Sequence, residues 1–501
     1  MATPQVTIVV VARDRFSQSD RSLENLYANT TIPFDLVYVA AGLPERIQRY
    51  LETEAERKKF RLLRVERYLS PNQARNLGLR AARTPYVVFL DNDTLVAPCW
   101  LEALLQCAEE TGAWVVGPLY LYGEFDRAVI HMAGGTLRLA EREGKRLFID
   151  EQYLFDTALA AAPKPLSRRR CDYAEFHCML VRAEAFERVG TFDEKLLSLQ
   201  EERDFCLAVG KAGGSVWIEP KSVVTFVPPS LCDWSDIPYF MLRWSDGWNL
   251  ASARHFNDKW GVAAVRHVND RSLLDEEGSI IGFGRSWRRQ IAGLKVRTAE
   301  DGSDGGPRLP LEHAQTMIAL FQAVDREGFD LALMTAGGDI AEVVSSLAPD
   351  AILERLPHIL RDADEKRLNV MIRLAAPSRR HQPPVMRIDE LSAEQLPVLQ
   401  SCAFMTVEAW PGRFQCWIAA DKNSLRNIVG LHDSGRTVDG PTRNEFVRLA
   451  GSQIVDDDRL VDPLGRCPRV RFIEGIVGQL ASAKQLGRPE IRSLLTSGRI
   501  A

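Results

Sequence analysis

The sequence predicts an α/β first half and a separate α+β second half, joined by a flexible stretch. Three observations carry this. Tyr86-Val87-Val88-Phe89-Leu90 is a continuous apolar run of strand length, rich in β-branched and aromatic residues. Such a run suits a strand buried on both faces of a sheet. Thr298-Ala299-Glu300-Asp301-Gly302-Ser303-Asp304-Gly305-Gly306-Pro307 offers Gly, Ser and acids that cannot bury apolar surface, and it reads as a linker. Beyond it, a new helical and strand pattern begins.

Taken in chain order, the first informative element is the buried run itself. It ends in Asp91-Asn92-Asp93, so two carboxylates reach the lip of a sheet, where open α/β folds bind ligands. Oxygen ligands two residues apart suit a hard divalent cation, and Mg²⁺ is commonly shared with substrate phosphates. The competing reading is a solvated acidic turn. From Trp244-Ser245-Asp246 to Lys259-Trp260-Gly261 the aromatics fall at helical spacing. Trp248, Phe256 and Trp260 are expected to pack on the core, with stacking on a sugar or lipid as the alternative. After the linker, Ala314, Met317, Ile318, Phe321 and Val324 share one helical face. Strands are expected at 329–334, 369–374, 404–407 and 414–419.

At 501 residues the chain is too long for one ordinary domain. The formal net charge of −4 argues against a general nucleic-acid or membrane coat. Ser167-Arg168-Arg169-Arg170 is a local basic run, read as a solvated loop with a diphosphate or acceptor contact as the rival. The nine cysteines form no Cys-x-x-Cys pair and no zinc-spaced cluster. An odd count without a signal peptide fits a reducing compartment. No apolar run approaches the ~18 residues of a membrane span. The expectation is a cytoplasmic protein, with peripheral membrane association left open.

Asn72-Gln73-Ala74-Arg75-Asn76-Leu77-Gly78, then the strand and Asp91-Asn92-Asp93-Thr94, resembles family 2 glycosyltransferases. In that family a helix carrying Ala-Arg-Asn-x-Gly leads into the strand bearing Asp-x-Asp. Val6–Val11 and Phe34–Val39 look like its first two strands, with Ser22–Leu26 in the intervening helix. Gly190-Thr191-Phe192-Asp193-Glu194 and Glu201-Glu202-Arg203-Asp204 resemble two later family segments. The resemblance covers roughly the first 230 residues. It implies a GT-A fold, a nucleotide-diphosphate sugar donor, a hexosyl or related transfer with inversion, and Mg²⁺ or Mn²⁺. The acceptor would be a glycan, lipid-linked or other hydroxyl. By the same resemblance Asp93 ligates the metal, Asp91 orients ribose or metal-bound water, and Arg75 approaches the donor. Glu202 takes the place of the general base, with Glu201 as the alternative, and Asp204 holds the loop and helix start.

Two departures stand out. The family's aspartate after the second strand is absent, since this strand ends Val39-Ala40-Ala41-Gly42, and Asp14 is the candidate substitute. The histidine that often completes the metal site falls at Phe226. The expected layout is 1–230 for the transferase domain, 231–295 for a helical extension, 296–310 for the linker and 311–495 for the second domain.

That second domain resembles RepB-type plasmid DNA primases. The resemblance rests on Leu368–Arg373, Arg387-Ile388-Asp389-Glu390-Leu391, Glu408–Trp417, Thr442-Arg443 and Arg448–Ser452. It makes Asp389 and Glu390 candidate ligands for a metal or nucleotide. Yet Ile454 and Val455 stand where Asn and Lys are expected, and Asp456-Asp457-Asp458 follows. The domain is therefore read as a binding module with weak nucleotide or nucleic-acid affinity. The rival function is a DNA primase or nucleotidyltransferase, or a nucleic-acid-binding protein, with the transferase half as accessory.

Overall fold

The computed structural model describes residues 4–125, 129–142, 144–226, 233–267, 287–297, 309–375, 383–420, 446–463 and 466–497. The chain divides into two compact units, Met1–Trp287 and Arg288–Ala501.

The first unit is built on an eleven-stranded mixed sheet. Its parallel part runs Arg61–Val65, Asp35–Ala41, Val6–Val11 and Tyr86–Asp91 as successive neighbours. Val6, Ile8, Val9, Val11, Val88 and Phe89 are fully buried, which explains why these strands are apolar without alternation. Cys178–Arg182 then adds antiparallel to Tyr86–Asp91, pairing Cys178 with Leu90. Val115–Tyr122 follows, and Val216–Phe226 lies parallel beside it. A three-stranded sheet of Gly135–Arg142, Lys145–Gln152 and Ala264–His267 completes the described sheets of this unit.

The order places Val6–Val11 between Asp35–Ala41 on one side and Tyr86–Asp91 on the other. The chain winds in opposite directions from this strand, so a crevice opens at the carboxyl ends of Val6–Val11 and Tyr86–Asp91. The helix Pro71–Leu79 covers the sheet here. A Cβ on Gly78 would fall 2.2 Å from Val9 Cγ1, so only glycine lets this helix approach so closely. Pro71 opens the helix, and the Ser70 N–H donates to Gln73 Oε1 at 3.0 Å.

The helical extension expected after residue 230 contains the helices Ile237–Arg243 and Asp246–Trp260. Phe256 is fully buried and Trp248 nearly so, in line with packing on the core. Trp260 donates its indole N–H to Asp204 at 2.9 Å, and Lys259 reaches both Asp204 and Asp193 at 2.8 Å. Asp204 thus fastens the helix Asp246–Trp260 to the helix Glu201–Lys211.

Among the described residues, the second unit contains two antiparallel sheets. The first has the order Lys295–Arg297, Arg471–Ile476, Met405–Trp410, Arg413–Ala419, Val385–Leu391. The second runs Ile340–Leu347, Phe329–Met334, Asn369–Leu374, Val447–Arg448. Ala314, Met317, Ile318 and Phe321 of the helix Pro310–Ala323 are buried together, as their spacing predicts. One boundary differs from expectation. Lys295–Arg297, placed at the junction of extension and linker, is a strand of this unit. Its Val296 is fully buried between two exposed basic residues, too short an alternation to stand out in the sequence. The rest of the expected linker, 298–308, and Thr442-Arg443 lie outside the described residues.

Candidate active site

Asp91 is the last residue of its strand, and the register with Val6–Val11 sets it opposite Val11. Asn92 closes the gap between the two strand ends. Its amide donates to the Arg15 carbonyl at 2.5 Å and to Ser19 Oγ at 2.9 Å, and its Oδ1 accepts from the Arg13 N–H. The turn after the first strand, carrying Arg13, Asp14 and Arg15, is thereby fixed beside the acids. Asp236 holds the same turn from the far side, accepting from the Phe16 and Ser17 N–H groups at 2.6 and 2.8 Å.

Asp91, Asp93, Asp14 and Arg75 are all buried. Arg75 lies 3.4 Å from Asp91 Oδ1 and packs its guanidinium 3.8 Å over the Phe176 ring. Its helix is tied to the later motif by two amides. Asn72 donates to the Asp193 carbonyl, and Asn76 bonds both the N–H and the carbonyl of Phe192. The motif segments quoted far apart in the sequence are thus one hydrogen-bonded assembly.

Asp93 Oδ2 accepts from Arg15 Nη2 at 2.8 Å. One oxygen of each acid, Asp91 Oδ2 and Asp93 Oδ1, is buried without a hydrogen bond. That leaves a lone-pair site on each carboxylate, so the pair fits a hard divalent cation on chemical grounds. Burial pushes the Asp91 carboxyl upward, opposed by Arg13 and Arg75. Burial likewise raises Asp14, opposed by Arg13 and Arg243.

The helix Glu201–Lys211 brings the acidic trio. Glu201 is locked against Arg243 at 3.1 Å, and Arg243 also lies 3.9 Å from Asp14. Glu202 is more accessible and is held by Arg203, which Asp150 anchors through two contacts of 2.6 and 2.5 Å. Burial raises the Glu202 carboxyl, with Arg203 working against it and Glu201 reinforcing it.

Several site residues escaped the sequence reading. Arg13, Arg243, His131, Glu175 and His177 all face the acids or their neighbours. Arg13 adjoins Asp14 and could have been flagged after a predicted strand. His177 could not, because only the register pairing Cys178 with Leu90 brings it beside Asp91. The Asp91 N–H donates to the His177 carbonyl at 3.2 Å, and His177 Nδ1 lies 3.4 Å from Asp91 Oδ2. The basic run sits elsewhere: Arg168 binds Glu219 and Glu110, while Arg169 and Arg170 are exposed.

In the second unit, Asp389 is ion-paired with Arg387 at 2.8 Å, and Glu390 is largely exposed at 4.0 Å from Arg413. Neither belongs to a group of three or more potential metal ligands among the described residues. Ile454 and Val455 are buried apolar residues. Asp456 accepts from both Asn369 and Arg448.

Residues 7–170 match the model of glycosyl transferase family 2. Glu201 and Glu202 lie beyond that match. The succinoglycan biosynthesis protein ExoO of Rhizobium meliloti (strain 1021) is 28% identical over 164 residues, covering 30% of this chain and 44% of ExoO. The chain spans less than half the length of the curated relatives it matches. Among solved structures, GalNAc-T7 with UDP, GalNAc and Mn²⁺ aligns with a TM-score of 0.35 and 15% identity, over 51% of each chain. The primase RepB′ aligns with a TM-score of 0.27 and 19% identity, over 37% of this chain and 62% of its own.

Proposed function

We propose that the first unit is an inverting glycosyltransferase that moves a hexosyl or related sugar from a nucleotide diphosphate to an acceptor hydroxyl. The observation that carries this is the convergence of Asp14, Arg75, Asp91, Asp93 and the Glu201-Glu202 pair at one crevice, within a chain whose residues 7–170 match glycosyl transferase family 2.

The chemistry follows from charge. The leaving diphosphate develops negative charge as its bond to the sugar breaks, so prearranged cations lower the barrier. Arg75 and Arg13 lie within 3.6 Å of Asp91, and Arg243 stands near Asp14. They are the cationic side chains this reading assigns to the donor. A divalent ion, Mg²⁺ or Mn²⁺, held by Asp93 with Asp91 beside it, would neutralise the diphosphate further. Glu202 takes the proton of the acceptor hydroxyl as its oxygen bonds to the anomeric carbon. The electron pair of the broken carbon–oxygen bond leaves with the diphosphate. Attack from the face opposite the leaving group inverts the centre. Glu202 is chosen over Glu201 because Glu201 is buried and held by Arg243.

The second unit is read as a module without polymerising chemistry, supported by the Arg387–Asp389 pair and the apolar Ile454 and Val455. The test is calorimetric titration of the full chain with nucleoside diphosphates, with and without Mg²⁺ or Mn²⁺, followed by donor hydrolysis across several nucleotide sugars. Binding of at least one diphosphate is expected. Failure of every one to bind removes the reading.

A further inference from the structure

Beside the acid pair lies a second set of donor groups that the proposed sugar transfer does not use. His131, Glu175 and His177 each present a ligand atom, and these atoms lie within 4.8 Å of one another. They come from different parts of the sheet: His131 from the strand Val129–Met132, Glu175 and His177 from the segment entering the strand Cys178–Arg182. Glu175 Oε2 is 2.8 Å from His131 Nε2 and 3.9 Å from His177 Nε2. Glu175 and His177 are buried, and His131 is half-buried.

We propose that His131, Glu175 and His177 bind a divalent transition metal of the Zn²⁺ class, separate from the Asp91–Asp93 acids. The inference stands on these residues and does not depend on sugar transfer. Two imidazoles and one carboxylate suit Zn²⁺, Co²⁺ or Mn²⁺ far better than Mg²⁺, which prefers oxygen ligands. Three protein ligands leave a fourth position for water, as in open zinc sites.

Two further observations point to a ligand there. His177 has Nε2 3.9 Å from Glu175 Oε2 and Nδ1 3.4 Å from Asp91 Oδ2, a buried oxygen without a hydrogen bond. A carboxylate behind the far nitrogen of a metal-bound histidine is the usual outer partner that orients the ring. In addition, the ring of Phe226 stacks on His177 at 4.1 Å with planes 6° apart and meets His131 at 5.0 Å. Phe226 occupies the position where a histidine was expected, and His131 and His177 both meet its ring. Arg13 opposes the metal, since its Nη1 lies 2.5 Å from His177 Nε2, the nitrogen assigned to the ion, and 2.8 Å from Nδ1. Its side chain is about one-quarter exposed and already lies 3.9 Å from Asp14, so it has another carboxylate to turn to.

The experiment uses the full chain, stripped with chelator and titrated with Co²⁺, whose visible absorption reports nitrogen ligation. One Co²⁺ per chain with a visible band is expected, displaced by Zn²⁺ and indifferent to excess Mg²⁺. The band should disappear in His131→Gln and in Glu175→Gln and persist in Asp93→Asn. Asp91→Asn should weaken Co²⁺ binding by about 10–100-fold, as for lost outer partners. Arg13→Gln should tighten it, because a competing cation is removed. No band in the wild type, a band unchanged in His131→Gln, or a band lost as fully in Asp93→Asn as in His131→Gln would each overturn the site. Unchanged or weaker binding in Arg13→Gln would do the same, so the inference stays exposed even if a ligand variant misfolds.

Discussion

Both units bury charged side chains, but they do so in different ways. In the first unit Arg13, Arg75 and Arg243 are shared among Asp14, Asp91 and Glu201 at the ends of two parallel strands. In the second unit several acids sit in single ion pairs, Asp389 with Arg387, Asp330 with Arg373 and Asp364 with Arg469. A shared network leaves oxygens without hydrogen bonds at Asp91, Asp93 and Asp14, where a ligand gains most by binding. The contrast is between linked ion pairs around one crevice and single ion pairs.

The sharpest way to break this comparison is to neutralise the proposed base. Glu202→Gln should lower turnover by about 10²–10⁴-fold, the usual worth of general acid–base catalysis, with nucleotide affinity unchanged. Because burial raises the Glu202 carboxyl, the acidic limb of the wild-type profile should lie above the ordinary carboxylate range. Removing the Arg203 charge should move that limb higher still. Full rate in Glu202→Gln alongside a dead Glu201→Gln would shift the base by one residue.

Next in size comes the stability of individual pairs. Arg15 and Asp93 are almost wholly buried and 2.8 Å apart. Removing one member of such a pair costs about 3–5 kcal/mol, so Asp93→Ala should melt markedly earlier as well as bind metal less well. Arg469 and Asp364 sit at 2.6 Å, but each side chain is about one-third exposed. Asp364→Ala should cost no more than about 1 kcal/mol. Denaturant unfolding of both variants measures the difference. Equal losses would remove the claimed asymmetry between the units.

How far the sequence could reach differs along the same line. The strands Val6–Val11 and Asp35–Ala41 and the helix Pro71–Leu79 came through the family resemblance, and the parallel strand Arg61–Val65 was not expected. The strand Tyr86–Asp91 and the acids at its end were legible because the apolar run is a local pattern. In the second unit the helix Pro310–Ala323 and the strands Phe329–Met334 and Asn369–Leu374 were legible for the same reason. His177 and His131 were not, since nothing local distinguishes them and only strand pairing brings them together. Arg243 reaches Glu201 across more than 40 positions, a distance no periodicity encodes. The strand Ile340–Leu347 was missed because its residues are mostly exposed and lack a buried face to mark it.

A pH dependence follows for each unit. Burial pulls the His313 imidazole of the second unit down to about 4, and its Nδ1 accepts the Phe472 N–H at 3.1 Å. In the unfolded chain histidine titrates near ~6.5. As pH falls, the unfolded state therefore takes up the proton first. Stability is lost between about 6.5 and about 4, to a total of about 3 kcal/mol. In the first unit, burial acts to raise Asp193, but Lys259 and His255 outweigh it and hold it at about 2. Its contribution is fully present above the unfolded carboxylate value and is lost only as pH falls from there toward about 2. Burial and Arg13 also push the His177 imidazole of the first unit well below its ordinary value, so that unit too loses stability as pH falls below ~6.5. The transition of the second unit should move down between pH 7 and 5. In His313→Gln that pH dependence should flatten, and a slope as steep as wild type would assign it to other groups.

The smallest expected effect tests the second unit directly. Asp389 and Glu390 are adjacent in sequence yet do not converge, since Asp389 is held by the nearly buried Arg387 and Glu390 is largely exposed beside Arg413. Two-metal nucleotidyl transfer requires carboxylates gathered around ions a few ångströms apart, and no such group includes these residues among those described. The double variant Asp389→Ala, Glu390→Ala should therefore leave sugar transfer unchanged. Single-stranded DNA should bind weakly, and that binding should collapse with added salt, as expected of contacts to phosphate alone. Labelled nucleoside triphosphates on the same DNA should give no dinucleotide in either protein. Primer synthesis by the wild type that disappears in the double variant would show that these acids gather when substrate binds. The second unit would then be the enzyme, and the contrast between shared and paired acids would no longer mark where the chemistry lies.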